Sequence, residues 1–111
     1  MNLENIQRRI KEIKAELSGL GPMHPGSISK QYNICGTPGC RCKDPENPQK
    51  HGPYYQLSYT WRGKSSSLFV RKDRLEGMRA QVANYKQLRA LTQEWVDLEM
   101  KRERIERSGK E

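Results

Sequence analysis

The chain has 111 residues, 33% of them apolar and 31% charged, and 21 lysines and arginines against 13 acids give a net charge of +8. That length suits one small domain or two modules, and that apolar fraction excludes a single large core. The basic excess favours a polyanionic partner, nucleic acid above all. No apolar run approaches the ~18 residues of a membrane span, and the start MNLENIQRRIKEIK lacks the apolar stretch of a secretory signal. A cytoplasmic protein with no membrane partner is expected.

Residues 2–20 have the pattern of an amphipathic helix. Leu3, Ile6, Ile10, Ile13, Leu17 and Leu20 recur at steps of 3 and 4, a heptad seam. Charged residues from Glu4 to Glu16 fill the faces between them, and Gly19, Gly21 and Pro22 end the segment. A seam this narrow suits one partner helix.

Residues 23–70 differ in texture, with five of the six prolines, six basic residues and two acids, Asp44 and Glu46. Tyr55, Leu57, Tyr59 and Trp61 alternate with Gln56, Ser58 and Thr60, which predicts a half-buried strand. Arg62-Gly63-Lys64 reads as a turn, and SSSLFV returns as a second strand. Residues 27–34, SISKQYNI, supply a third, with Ile28, Tyr32 and Ile34 on one face. A cysteine-bearing loop then lies between the first two strands of an antiparallel meander.

A longer helix is predicted from Asp73, which with Glu76 has the spacing of a capping box. Leu75, Met78, Val82, Tyr85, Leu88, Leu91, Trp95 and Leu98 mark its stripe, and three steps of 3 around Leu88 break the heptad. At 1.5 Å per residue the two helices are about 27 and 50 Å long, so the first cannot cover the second's whole stripe. The expected arrangement packs the first helix on the first half of the second. Trp95 and Leu98 are then left exposed or for another copy of the chain.

All three cysteines fall within eight residues, in the run CGTPGCRC, and His51 follows. The spacing C-x4-C-x-C-x8-H fits a structural zinc ion held by Cys35, Cys40, Cys42 and His51. Gly36, Pro38 and Gly39 suit the tight turn such a site needs. His24 and Asp44 remain open as alternatives for the fourth ligand. Residues 23–70 hold about a dozen large apolar side chains, too few for a self-sufficient ~50-residue module. Structural zinc contributes on the order of 10–16 kcal/mol in small fingers, enough to decide folding. The rival fates fit less well. Three cysteines beside glycine, proline and charge do not resemble a core, a disulfide leaves one thiol over, and iron–sulfur clusters normally take four.

The run from Gly26 to Val70 resembles an uncharacterised family of small prokaryotic proteins, a domain of unknown function. The shared elements are Cys35-Gly36-Thr37-Pro38-Gly39-Cys40-Arg41-Cys42, then His51-Gly52-Pro53-Tyr54-Tyr55, then Gly63-Lys64. The resemblance covers roughly residues 26–100, and the first helix is less characteristic of the family. It implies little about activity. It does imply a link to mobile elements, and so a DNA-related role.

The expected fold is α+β: a small zinc-stapled meander of about three strands between an N-terminal helix and a long C-terminal one. The helices are expected to pack as a coiled-coil-like pair. The segments are 1–22, 23–70 and 71–111, integrated into one domain. The expected function is a basic zinc-binding accessory factor for nucleic acid, DNA ahead of RNA. Lys30, Arg41, Lys43, Lys50, Arg62 and Lys64 would meet phosphates. Tyr54, Tyr55, Tyr59 and Trp61 are candidates to stack on unpaired bases, although at least half belong to the sheet core by their alternation. With His51 a ligand, no nucleophile–base pair stands out, so no enzyme is expected. The rival is a protein-interaction scaffold or dimerisation adaptor, homo-oligomeric through the long helix, with zinc purely structural.

Overall fold

The computed structural model describes residues 2–33, 39, 41, 44–46 and 51–109. Helix α1 spans Leu3–Ser18. Asn2 caps it, its Oδ1 accepting the Asn5 amide N–H at 2.8 Å, which satisfies one open donor of the first turn. Strands β1 (Ser27–Asn33), β2 (His51–Trp61) and β3 (Lys64–Val70) form one antiparallel sheet in the order β1-β2-β3. A 3-10 turn over Lys72–Arg74 leads into helix α2, Leu75–Ser108. The chain is α+β, with the expected meander between two helices. Ile34 lies outside the described residues.

The start of α2 departs from the capping box. Asp73 sits inside the 3-10 turn, its Oδ1 3.5 Å from Arg71 Nε. The Arg74 N–H donates to the Arg71 carbonyl at 2.9 Å, so a backbone i to i+3 bond closes the first turn.

Two compact units divide the chain: residues 25–82, and residues 1–24 with 83–111. In the sheet unit, Ile28 pairs with Leu57 and Leu57 with Leu68, while Tyr55 pairs with Val70. Alternation along a strand puts these on one face. Leu57, Val70, Met78 and Val82 form the buried cluster there, with Ile28, Tyr55, Tyr59 and Leu75 packed against it. The first turns of α2 thus cover the sheet. Trp61, beside the turn, is 51% exposed.

In the helical unit, Ile6, Ile10 and Ile13 cluster with Leu91 and Leu98, and Leu17, Trp95 and Ile105 pack against them. Helix α1 therefore meets the second half of α2, not the first half as the seam lengths led us to expect. Leu98 is 3% exposed and is covered within the chain, not left for another copy. The reason is that Leu75, Met78 and Val82 are already committed to the sheet core. The heptad break between Val82 and Leu91 falls where α2 passes from one core to the other.

Arg9 fastens the helical unit. Its Nε and Nη2 donate to the two Glu94 carboxylate oxygens at 2.7 and 2.8 Å, a bidentate fork. These bonds hold the Glu94 carboxyl below the usual carboxylate range and raise the guanidinium's own pKa. The Trp95 indole N–H donates to Glu99 at 3.0 Å, and Lys14 Nζ lies 5.2 Å from the same ring centroid.

Gly52 has a steric task. Its φ of +131° lies where L side chains rarely go, and a Cβ there would stand 2.8 Å from the Gln31 carbonyl oxygen and 3.2 Å from the Tyr32 ring. The Gly52–Pro53 peptide is cis. Gly77, in contrast, has open space around it and no positive φ.

Two stability measurements check this packing. Ile13→Ala is expected to cost about 2–5 kcal/mol in urea unfolding, and exposed Val96→Ala about 0.5 kcal/mol or less; equal effects would contradict the placement of α1. Gly52→Ala is expected to lose more than about 1 kcal/mol, while Gly77→Ala is neutral or gains up to about 1 kcal/mol. A well-tolerated Gly52→Ala would contradict the close approach of β2 to β1.

Candidate metal and nucleic-acid site

The β1–β2 ladder runs from Ser27↔Ser58 to Asn33↔His51, with an irregularity between Gln31 and Asn33. Asn33 and His51, the described residues on either side of positions 34–50, are therefore partners in the ladder. Cys35, Cys40, Cys42, Lys43 and Lys50 lie outside the described residues, as does the side chain of His51. Among the described residues no three His, Cys, Asp or Glu side chains gather into a metal-holding group.

Two described residues inside that segment have local roles. The Asp44 N–H donates to the Arg41 carbonyl at 3.2 Å, and Asp44 Oδ1 accepts the Glu46 amide N–H at 3.0 Å. The Asp44 carboxylate is thus engaged in a local turn of the kind Asp favours. Arg41 is exposed. His24, the other alternative ligand, is half-buried in the connection between α1 and β1.

Arg62 and Gly63 form the two-residue connection between β2 and β3, with φ of +52° and +80°. Positive φ at both positions matches the right-handed twist of the flanking strands. Glycine takes that conformation freely, whereas for an L side chain it costs roughly 1–2 kcal/mol. Arg62 bears that cost at the exposed tip, and Lys64, paired with Trp61, is exposed beside it. Thr60 and Ser65 join their hydroxyls across the hairpin at 2.8 Å.

Lys30 is not at the tip. It lies opposite Tyr55, six residues back along β2 from Trp61, or roughly 20 Å at strand rise. Its Nζ is 5.7 Å from the Tyr32 ring centroid. The structure brings Arg62 and Lys64 together and sets Lys30 towards the opposite end of the sheet. Of the four candidate stacking rings, Tyr55 and Tyr59 pack against the sheet core, and Tyr54 and Trp61 are exposed.

The face of the sheet turned away from its core carries a feature that sequence reading missed. Phe69 is 70% exposed and Tyr54 41%, and both border a hollow of about 380 Å³ at the end of the β2–β3 pair, with Pro53, Arg71 and Lys72, which Tyr55 and Val70 of the core face also line. The signal was present in the alternation: with Val70 turned to the core, Phe69 must face away from it. A second hollow, of about 710 Å³, runs along α2 past Thr92, Val96, Glu99, Met100, Glu103 and Arg107. Among the described residues no helix is long and apolar enough to cross a membrane.

Neither a curated protein nor a solved structure matches the chain. A family model does match, that of a domain of unknown function (DUF6788), over residues 3–80. The matched span starts at Leu3 and so takes in α1, the helix expected to be less characteristic, and it ends in the second turn of α2. It covers more than half of the chain, and the protein therefore belongs to the DUF6788 family.

Proposed function

We propose that the protein is a small prokaryotic, cytoplasmic accessory factor that binds nucleic acid, DNA ahead of RNA, through a zinc-stapled sheet. A link to mobile elements, implied by the family resemblance, belongs to the same reading. The observation that carries it is Arg62 in a left-handed backbone conformation at an exposed hairpin tip. Turn chemistry alone would favour Asn, Asp or Gly there. A guanidinium held at a strained position points to a use outside the fold. Lys64 adjoins it, Lys30 and Arg41 lie exposed elsewhere, and Lys43 and Lys50 join them in sequence. In this reading the six cations position the protein on phosphates and the chain performs no catalysis.

Zinc held by Cys35, Cys40, Cys42 and His51 would staple the sheet. The ladder supports this choice of fourth ligand. His51 pairs with Asn33, and Cys35 follows Asn33 by two residues in the sequence. Four such ligands would close the tetrahedron, which suits a structural ion.

A second reading, a scaffold that pairs through α2, is favoured by a separate observation. Val96 and Met100 are exposed large apolar residues on that helix, and Glu99, Glu103, Arg104 and Arg107 border the same hollow. Charges of both signs around an apolar strip suit pairing with a second copy.

Elemental analysis of protein purified without added metal is expected to give one zinc per chain, and folded protein without metal would contradict the staple. Cys40→Ser is expected to abolish the zinc and unfold the sheet while leaving much of the helical circular dichroism. For nucleic acid, replacing Arg41, Arg62 and Lys64 together by Ala is expected to weaken duplex DNA binding. It should also flatten the slope of log K against log salt by up to about 2.7, at ~0.9 per phosphate contact. Unchanged binding in that variant, or no binding by the wild type at low salt, would leave the scaffold reading in front.

A further inference from the structure

We infer that Phe69 and Tyr54, with Arg71 and Lys72, form a stacking site for an unpaired nucleotide of a single-stranded nucleic acid. The inference rests on the nucleic-acid reading above and adds to it a location, a strand state and residues outside its six cations.

The argument begins with β3. Its sequence KSSSLFV sends Val70 into the core and Phe69 to the other face. Register pairs Gln56 with Phe69, so Tyr54, two residues from Gln56, is the diagonal neighbour of Phe69 on that face. Diagonal pairs lie about 7–8 Å apart, close enough for two rings to border one site. Phe69 is the most exposed large hydrophobic residue of the described chain. A single exposed apolar side chain needs no explanation. Two exposed rings on neighbouring strands, bordering one hollow, call for one.

The surroundings choose among occupants. Ser29, Ser58, Ser65 and Ser67 share the face and are exposed. They offer hydroxyls but little apolar area, so among the described residues the face lacks the continuous apolar centre of a protein interface. Arg71 and Lys72 border the hollow. The Arg71 side chain is 78% exposed, and its Nε lies 3.5 Å from Asp73, also largely exposed. A pair this open is weak and leaves the cation available to a phosphate. A π-face with adjacent cations matches the chemistry of a base and its phosphate. The hollow's volume of about 380 Å³ falls within the ~300–1,000 Å³ of small-ligand clefts. A ring lying on a sheet reaches a base only when that base is free of its stack, which selects single strands over duplex.

The test is fluorescence anisotropy at low salt with three labelled probes: a 12-nucleotide oligo-dT, the matching oligo-rU and a 20-base-pair duplex. Phe69→Ala is expected to weaken single-strand binding about 5- to 150-fold and to leave duplex affinity within about twofold. Phe69→Trp is expected to keep single-strand affinity, with its added indole quenched by the oligonucleotide. Thermal melts equal to wild type would confirm that neither change acts through folding, as the exposure of Phe69 requires. Loss on either single strand supports the site, and the larger loss names the sugar. Equal weakening on all three probes, or no weakening, would overturn it. If the Arg41, Arg62 and Lys64 triple variant loses binding while Phe69→Ala does not, the general reading stands and this site falls. A wild-type chain that binds none of the probes overturns both.

Discussion

The antiparallel pairing of β1 with β2, carried down to Asn33 and His51, is the constraint on which the sheet unit depends. It fixes the register that places Ile28 beside Leu57 and so decides which face of the sheet meets α2. It also pairs Asn33 with His51, the residues that flank the cysteine-bearing segment in sequence. A slip of one residue would turn Leu57 outward and His51 away from its partner at once. Gly52 sits where this pairing is tightest, with no room for a side chain against Gln31 and Tyr32. The His-Gly-Pro sequence is thus explained at its glycine by backbone approach, independently of any metal.

Helix α2 serves two cores, and this accounts for much of the chain's economy. Residues as far as Val82 supply Met78 and Val82 to the sheet, while Leu91 and Leu98 receive the isoleucines of α1. Neither cluster is large: each holds four or five buried side chains among the described residues. Small clusters leave conformational entropy only narrowly outweighed. The helical unit adds the Arg9–Glu94 fork, and the sheet unit, with serines at 27, 29, 58, 65 and 67 on its outer face, has the stronger case for a metal staple.

The elements themselves were legible in the sequence. The seam from Leu3 to Leu20 and the alternation from Tyr55 to Trp61 each gave the right structure in the right place, because periodicity reports which face is buried. What periodicity does not report is the partner. The stripe of α2 showed Leu98 as apolar but not that Ile6, Ile10 and Ile13 would cover it. The expected pairing failed because the sheet had a prior claim on Met78 and Val82. The Asp73 and Glu76 spacing misled for a related reason: a 3-10 turn can close on backbone bonds alone. Of the candidate site, Arg62 and Lys64 were recognisable as a turn, but the left-handed conformation of Arg62 is a property of the folded hairpin. Phe69 is hard to place from SSSLFV because three serines in a row carry no alternation that assigns the strand's faces. The ligand set rests on spacing, since Cys35, Cys40 and Cys42 lie outside the described residues.

The central claim is that a metal held by those cysteines and His51 staples the β1–β2 pairing while the helical core stands apart from it. Amide hydrogen exchange, measured residue by residue before and after removal of metal with a chelator, addresses this most directly. The account predicts that chelation strips protection from the β1–β2 amides between Ile28 and Gln56, while the α1 and α2 amides around Ile10 and Leu91 stay protected. Unchanged protection across the β1–β2 ladder after complete removal of metal, or equal loss in both units, would contradict it.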